Sequence, residues 1–380
     1  MSVIGNTSLQ FSEEQAMLMD VAREFCRDKS PIAAVRDQLE TTDGFDPAIW
    51  QQMVDLGWPG IALPEACGGS GLGIGAVVPV AEAMGRAMLG TPLISSTLAG
   101  QLLLRAASTA GVEALLSEIA AGAPATIAML ENSDWGDQRC RCTLGEDGAL
   151  QGQKKYVVDA GVAELFLVPV EKGGELALAV VRAGQLAESA ISPNSLIDLT
   201  RRSADVDFSG VRVEADMVIT GAAVADAVAD VRLLGALLSA AETAGSAAAC
   251  LDTTVEYLKT RKQFGKLIGS YQALKHPAVD ILLAVDDSRS FVYHAASLAG
   301  EAPLGRDARI ACHMAKAKAT DTLVHAADRA VQFHGGMGFT WECDTQLYIR
   351  RAQWSRQQFG DAAHHRKRLA ALLLDPVLEG

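Results

Sequence analysis

The hydrophobic residues fall into three zones with different periodicities. In residues 11–124, apolar positions such as Met17, Val21 and Phe25 recur every four residues, which predicts helices. In residues 125–220 the apolar residues form short runs rich in Val, Leu and Phe, separated by turn sequences, which predicts strands. Long Ala- and Leu-rich helical patterns then occupy residues 226–260, 277–299 and 307–334.

This order predicts an α+β fold that is mainly helical. We expect a helical N-terminal domain over 1–124, a middle β-barrel or β-sheet domain over 125–225, and a C-terminal four-helix bundle over 226–380. The small residues of the last helices predict wide apolar surfaces that pack against other helices or other subunits. We therefore expect a dimer or tetramer.

Composition and charge exclude several classes of function. The 380 residues are 49% hydrophobic and 21% charged, with a net charge of −13, which argues against nucleic acid as a partner. No stretch reaches the roughly 18 apolar residues of a membrane span, and the N-terminus has no secretory signal pattern. Seven scattered cysteines lack zinc-ligand spacing, so we expect no metal site and a reducing, cytoplasmic location.

Several segments resemble the acyl-CoA dehydrogenase superfamily in their order and spacing. The sequence YLKTRKQFGKLIGSYQALKH (257–276) contains an R-x-x-FG motif followed by Gln, and QFHGGMGFTWE (332–342) contains Q-x-x-GG-x-G. LPEACGGSGLG resembles the family's N-terminal loop, and GQKKYVVDA and VDFSGVRV resemble strands of its middle domain. The resemblance extends over nearly the whole chain and implies that family's three-domain fold.

The resemblance also implies a flavoenzyme that removes two hydrogens from Cα and Cβ of an acyl-CoA thioester. Such chemistry needs a base for the α-proton and a hydride acceptor, which protein side chains cannot supply, so FAD is the expected cofactor. Electron-transfer flavoprotein is the expected electron acceptor. In the family each FAD contacts two subunits, and the contacts from the neighbouring subunit are matched here by Arg261, Phe264, Gln272, Gln332, His334, Gly335 and Gly336.

Contacts that the family makes to the flavin within one subunit are less well matched. Its T-E-P-G-x-G-S-D loop aligns with LENSDWGD (130–137), which retains Glu131 and Asp137 but loses the hydroxyls. The position of the usual catalytic Glu falls on Phe359. The alternative base position, on the first long C-terminal helix, falls on Gly235.

Two other carboxylates are candidate bases. Glu242 lies two helical turns after Gly235 on the same predicted helix face, in an otherwise apolar run. Asp361 follows Gly360, where it could act as a base or as the N-cap of the last helix.

Three hypotheses follow. In the first, the chain is a subunit of a hetero-oligomeric dehydrogenase and supplies flavin contacts to a catalytic, paralogous partner. In the second, it is a self-sufficient homo-oligomer with Glu242 or Asp361 as base. In the third, it is a non-enzymatic scaffold or acyl-CoA binder. The sequence does not specify whether the acyl group is linear, branched or cyclic.

Overall fold

The described part of the N-terminal region is built from helices joined by loops. A computed structural model describes residues 13–300 and 302–374. Its first six helices are α1 (Glu13–Lys29), α2 (Ile32–Gln38), α3 (Pro47–Asp55), α4 (Val77–Arg86), α5 (Leu93–Ala106) and α6 (Ala110–Ala120). The first turn of α3 is fixed by Asp46, whose carboxylate accepts a hydrogen bond from the Ala48 N–H at 2.8 Å.

Two small sheets form the middle region. Its strands are β1 (Ala125–Ile127), β2 (Thr143–Leu144), β3 (Leu150–Gln151), β4 (Gln153–Val158), β5 (Leu165–Lys172), β6 (Glu175–Arg182), β7 (Ile191–Pro193), β8 (Ser203–Asp207) and β9 (Val218–Ile219). One sheet has the order β3-β2-β5-β6-β9, with β1 parallel to β5, and the other has the order β4-β8-β7. The antiparallel pair β5–β6 runs from Leu165↔Arg182 to Lys172↔Glu175 and contributes the most buried strands.

Long helices return after the sheets. They are α7 (Ala223–Thr260), α8 (Gln272–Leu298), α9 (Arg306–His334), α10 (Thr345–Gln357) and α11 (Ala362–Leu374). The helices α7, α8, α9 and α10 pack together, and α11 packs on α9. A two-stranded hairpin, β10 (Lys262–Gln263) with β11 (Lys266–Leu267), joins α7 to α8.

Glycines let the N-terminal and C-terminal helices approach at backbone distance. A Cβ on Gly85 of α4 would lie 2.0 Å from the Glu242 carbonyl oxygen, and a Cβ on Gly245 of α7 would lie 2.0 Å from the Glu82 carbonyl oxygen. Only residues without a side chain fit at this crossing. The crossing fixes the middle of α7, and therefore Glu242, against the N-terminal region.

The mainly helical α+β fold with a central sheet region and C-terminal helices confirms the predicted fold class. Helix α8 begins five residues before the predicted 277, because Pro277 is accommodated within the helix. The first strand begins at Ala125 and α7 begins at Ala223, three residues before the predicted bundle. Within the described residues, no helix is long and apolar enough to cross a membrane.

Candidate active site

A largely apolar cavity lies where the three regions meet. It encloses about 870 Å³, including its open mouth, and is bounded by the start of α5, by β1, by the end of β4, by the middle of α7 and by the segment that follows α10. Ile94, Leu98, Met129 and Leu130 provide much of its apolar lining. Helices and strands on all sides hold its shape, as expected of a binding site for a small molecule or cofactor.

Phe359 and Gly235, the two positions at which the family resemblance would place a base, are in direct contact. A Cβ built on Gly235 would lie 2.3–2.7 Å from three carbons of the Phe359 ring, so glycine is the residue that admits the ring. Phe359 has a φ of 56°, in the left-handed region that non-glycine residues seldom adopt. The ring therefore occupies the space that a carboxylate at either position would need.

Trp135 completes an aromatic wall with Phe359. The two ring centroids are 4.6 Å apart, with planes inclined at 42°. Trp135 belongs to the loop that aligns with the family's flavin-binding loop, and its carbonyl accepts a hydrogen bond from Arg232 of α7 at 3.3 Å. We call this Trp135–Phe359 pair the aromatic wall.

The two acidic residues retained in that loop are engaged by cations of this same chain. Glu131 accepts hydrogen bonds from the buried Lys154 ammonium at 2.7 Å and from the Cys142 N–H at 3.0 Å. Burial opposes its ionisation, but these donors hold the pKa of Glu131 below its usual range. Asp137 is paired with Arg139 and Arg141.

Glu242 faces the cavity and is paired with Arg201. The Arg201 guanidinium donates to the Glu242 carboxylate, and the two side chains are only 10% and 15% exposed. Burial lowers the pKa of Arg201 to about 10. The arrangement is a nearly buried ion pair, in which each charge depends on the other for compensation.

Asp159 is a second carboxylate in the cavity lining, and the sequence analysis did not single it out. Ser95 of α5 donates a hydrogen bond of 2.6 Å to its carboxylate. Burial raises the pKa of Asp159 to about 6, although the Ser95 hydroxyl and the nearby Arg201 favour the ionised form. A perturbed carboxylate in a cavity is typical of functional sites.

Asp361 caps a helix. Its carboxylate accepts the His364 N–H at 2.8 Å at the start of α11. Beside it, His365 contacts the Phe359 carbonyl through Nε2 at 3.1 Å and the His313 Nδ1 through its own Nδ1 at 2.8 Å. These contacts anchor the segment that carries Phe359.

Three of the residues predicted to contact a neighbouring subunit's flavin, Arg261, Phe264 and Gln272, lie on the surface around the α7–α8 hairpin. Arg261 ends α7 and is exposed, with no ion pair to any carboxylate in residues 13–300 or 302–374. Phe264 lies at the hairpin tip with a φ of 51° and is 85% exposed. Gln272, the first residue of α8, is also exposed.

The glycine-rich turn after α9 is open to solvent on the side where side chains would stand. Gly335 has a φ of 62°, and neither it nor Gly336 has any atom within 4 Å of where a Cβ would stand. Gln332 is exposed one turn earlier, where its carbonyl accepts the Gly335 N–H. His334 is placed differently, because it is 93% buried and stacks on Tyr257 with centroids 4.1 Å apart.

The two groups of residues differ in how well they suit a flavin. Around Gly335 and Arg261, open glycine backbone and an uncommitted guanidinium suit an anionic, flat cofactor. At the chain's own cavity, the segment that aligns with the family's flavin-binding loop has Leu130 and Gly136 in place of hydroxyl-bearing residues, and the aromatic wall fills part of the space. The exposed residues around Arg261 and Gly335 therefore fit FAD, whereas the chain's own cavity fits it poorly.

Comparison with known proteins establishes the family. Models described as "Acyl-CoA dehydrogenase, N-terminal domain" and "Acyl-CoA dehydrogenase, C-terminal domain" match residues 12–123 and 233–374. Acyl-CoA dehydrogenase IpdE2 of Mycolicibacterium smegmatis is 30% identical over 361 residues, covering 95% of this chain and 99% of that protein. The chain belongs to the acyl-CoA dehydrogenase family. It is an oxidoreductase by family, which confirms the prediction made from the motifs.

Two solved structures share the fold of this chain. In the ChsE4–ChsE5 complex from Mycobacterium tuberculosis, a chain with 24% identity superposes with a TM-score of 0.86, covering 97% of this chain and 99% of that chain. A chain of a Tcur3481–Tcur3483 steroid ACAD variant has 26% identity and a TM-score of 0.82, covering 95% and 98%.

Sequence reasoning singled out Gly235, Phe359 and Glu242 but missed Asp159, Arg201 and the contact of Trp135 with Phe359. Asp159 directly follows β4 and has a φ of 57°. The sequence signal for this turn was an acidic residue between the run YVV and the small residues AG. Arg201 offered no signal, since its partner Glu242 is 41 residues away.

Proposed function

We propose that this chain is one subunit of a hetero-oligomeric, FAD-dependent acyl-CoA dehydrogenase. In this assembly it supplies Arg261 and the Gly335–Gly336 turn to a flavin that lies mainly in a paralogous partner. The observation that carries the proposal is the contact between Phe359 and Gly235. These two residues stand at the two base positions that the family resemblance implies, neither has a carboxylate, and the Phe359 ring fills the space between them. A chain that loses its own base but keeps an exposed flavin-contact surface is suited to a partner that has the base.

The substrate in this proposal is an acyl-CoA thioester, and the electron acceptor is electron-transfer flavoprotein. FAD, when bound, accepts the hydride released from the substrate Cβ. Within this chain, Arg261 would neutralise phosphate charge on the cofactor, and the Gly335–Gly336 backbone would approach its flat surface. The α-proton would be taken by the partner's carboxylate.

Relatives support a two-chain assembly without establishing one for this chain. Two of the similar structures are of the ChsE4–ChsE5 complex and of the Tcur3481–Tcur3483 steroid ACAD. In this chain, large apolar side chains of the α7–α8 hairpin and of the segment after α9 are exposed, including Phe264 at 85% and Phe339 at 74%. Apolar surface of this kind marks an interface. The seven thiols, all free, agree with a reducing cytoplasm as the location.

The self-sufficient alternative depends on Glu242 or Asp361 as base. The contacts favour other roles, because Glu242 is paired with Arg201 and Asp361 caps α11. The scaffold alternative gives no role to the exposed Arg261 or to the Gly335–Gly336 turn.

The test is acyl-CoA oxidation by the assembled enzyme, measured with Glu242→Gln and Asp361→Asn in this chain. We expect the rate to stay within about threefold of wild type, since loss of a general base typically costs about 10²–10⁴-fold. The matched control is substitution of the partner's predicted base by Gln, which should abolish turnover. A loss of more than about 100-fold with Glu242→Gln or Asp361→Asn alone, in an assembly that is still folded and retains its FAD, would support the self-sufficient enzyme instead.

A further inference from the structure

A half-buried thiol and a buried lysine share the same two oxygen atoms at the end of the loop that carries Trp135. The Lys154 ammonium of β4 donates to Glu131 Oε1 at 2.7 Å and to the Pro169 carbonyl oxygen of β5 at 2.8 Å. Cys140 Sγ lies 3.6 Å from that carboxylate oxygen and 3.3 Å from that carbonyl oxygen. Because both groups are held on the same pair of atoms, the sulfur of Cys140 and the nitrogen of Lys154 lie side by side.

The two groups differ in their exposure to solvent. The Lys154 side chain is 0% exposed and the Glu131 side chain is 9% exposed. Cys140 is half-buried at the edge of this cluster, between the exposed Arg139 and Arg141. A small solute therefore reaches the thiol from the surface, whereas the nitrogen of Lys154 is shielded from solvent.

The surroundings keep the thiol protonated in the absence of a reaction partner. Burial raises the pKa of Cys140 to about 11, the Lys154 ammonium acts in the opposite direction, and Glu131 acts in the same direction as burial. Cys140 is therefore not a standing thiolate. Its oxidation needs a nearby base, and the Glu131 carboxylate, whose pKa stays below its usual range, is in contact with the thiol.

An oxidised thiol at this place has one well-placed nitrogen to react with. A peroxide converts a thiol to a sulfenic acid, which condenses with a neighbouring thiol or nitrogen. The nearest other thiol, Cys142, is 1% exposed and belongs to the core of the β-sheet region, where its sulfur packs against Gly152. Lys154 is the nucleophile that shares the oxygen contacts of Cys140.

We propose that Cys140 and Lys154 form a covalent sulfur–nitrogen cross-link when a peroxide oxidises the thiol. In the first step Glu131 takes the thiol proton, the sulfur attacks one peroxide oxygen, and the O–O bond breaks. The sulfur is oxidised by two electrons, the peroxide is reduced by two, and the departing hydroxide takes the proton from Glu131 and leaves as water. The product is a sulfenic acid at Cys140.

The second step joins the two residues. The Lys154 ammonium gives one proton to Glu131, and the resulting amine attacks the sulfenic sulfur. The S–N bond forms, the S–O bond breaks, and the hydroxide leaves as water with a second proton from the nitrogen. One peroxide is consumed and two waters are released in all. The buried ammonium–carboxylate pair becomes a neutral sulfenamide beside a protonated carboxyl group, which removes the desolvation cost of both charges.

The cross-link would close the loop that carries Trp135 on a single strand. Leu130, at the start of the loop, already pairs with Lys155 of β4, whose N–H donates to the Leu130 carbonyl at 2.7 Å. A bond from Cys140 to Lys154 would fix the other end of residues 131–139 to the neighbouring residue of the same strand. The cross-link would thus hold Trp135, and with it the aromatic wall, in place. This inference does not depend on the proposed function.

Peptide mapping after oxidation tests the proposal. The purified protein, in the assembly in which it is isolated, is treated with hydrogen peroxide, its remaining thiols are alkylated, and its peptides are identified by tandem mass spectrometry. We expect peptides joined through Cys140 and Lys154, with a mass about 2 Da below the sum of the unlinked reduced peptides. Treatment with dithiothreitol should separate them again. Cys343 is the matched control thiol, because it is also half-buried but contacts the Thr345 hydroxyl at 3.1 Å, and it should be oxidised without a link to a lysine.

Two variants identify the atoms that are joined. Cys142→Ser removes the alternative thiol and should leave the cross-link unchanged. Lys154→Gln removes the nitrogen, so Cys140 should gain oxygen atoms as a sulfinic or sulfonic acid instead of losing two hydrogens. If Lys154→Gln fails to fold, the peptide maps of the wild type and of Cys142→Ser still decide the question.

Three results would overturn the proposal. The first is a Cys140 thiol that is still fully alkylated after a treatment that oxidises Cys343. The second is a disulfide between Cys140 and Cys142, recognised by the disappearance of the mass loss in Cys142→Ser. The third is accumulation of sulfinic acid at Cys140 in the wild type with no linked peptide, which would show that Lys154 does not reach the oxidised sulfur.

Discussion

Replacing Gly235 by alanine tests the contact that closes both base positions. The new Cβ would stand 2.3, 2.5 and 2.7 Å from three carbons of the Phe359 ring, where ordinary carbon contacts are about 3.5–4.0 Å. The ring would have to retreat by about 1 Å or more, and Trp135, at a centroid distance of 4.6 Å, limits that movement.

The expected effect of Gly235→Ala on the free energy of unfolding combines two opposing contributions. Overpacking of this kind typically destabilises by about 1–3 kcal/mol, and the higher helix propensity of alanine returns up to about 1 kcal/mol. Gly235→Ala should therefore lower the free energy of unfolding by about 1–2 kcal/mol. Phe359→Ala, which removes a half-buried ring, should cost about 2 kcal/mol by itself. In the Phe359→Ala background the clash is gone, so Gly235→Ala should stabilise by up to about 1 kcal/mol.

The assay is urea unfolding of the four proteins of this double-mutant cycle. We expect a coupling energy of about 2–3 kcal/mol between the two positions. Gly111→Ala is the matched control, because Gly111 lies in α6 and an added Cβ there meets only ordinary contacts at 3.9 Å or more. Its effect should be the same with either residue at 359. Additive effects of Gly235→Ala and Phe359→Ala, within about 0.5 kcal/mol, would refute the packing of Phe359 against Gly235.

Three further substitutions have defined outcomes. The pKa of Asp159 is raised to about 6 in the folded chain, so the folded state binds a proton that the unfolded state has lost, and stability falls as pH rises from about 4 to 6. Asp159→Asn should remove this loss and gain on the order of 1–3 kcal/mol relative to wild type between pH 4 and 7 in urea unfolding, and a difference from wild type that is the same at pH 4 and pH 7 would contradict the raised pKa. Arg201→Met should lower the free energy of unfolding by about 3–5 kcal/mol, because it leaves Glu242 without its partner, and an effect below about 1 kcal/mol would contradict the buried ion pair. Arg261→Ala should weaken FAD retention in the assembled oligomer roughly ten- to hundredfold, measured by equilibrium dialysis, and unchanged retention would show that Arg261 does not contact the cofactor.

The long helices could be predicted from the sequence because their signal is local. The Ala- and Leu-rich pattern over 226–260 carries no proline, and α7 follows it to within three residues at its start. Strand pairing is less local, since β2, β3 and β9 have two residues each and their partners depend on distant segments.

The candidate site also has parts that the local sequence predicts and parts that depend on distant segments. Arg261 and the Gly335–Gly336 turn lie in continuous motifs, and each is exposed as the motifs predict. The aromatic wall joins Trp135 to Phe359, which are 224 positions apart. Neither residue has a neighbour in the sequence that predicts the contact. The family resemblance places Phe359 where a carboxylate is expected, and only the fold shows that Gly235 makes room for its ring.

The central claim is that this chain shares a flavin whose main site and base belong to a partner. The most direct measurement is FAD per chain, from the visible absorbance of the chain purified alone and of the assembly co-expressed with a paralogous dehydrogenase that has the catalytic Glu. We predict negligible FAD on the chain alone and one FAD for each pair of unlike chains in the assembly. One FAD on every chain in the protein purified alone, together with acyl-CoA oxidation, would contradict the claim and establish a self-sufficient enzyme.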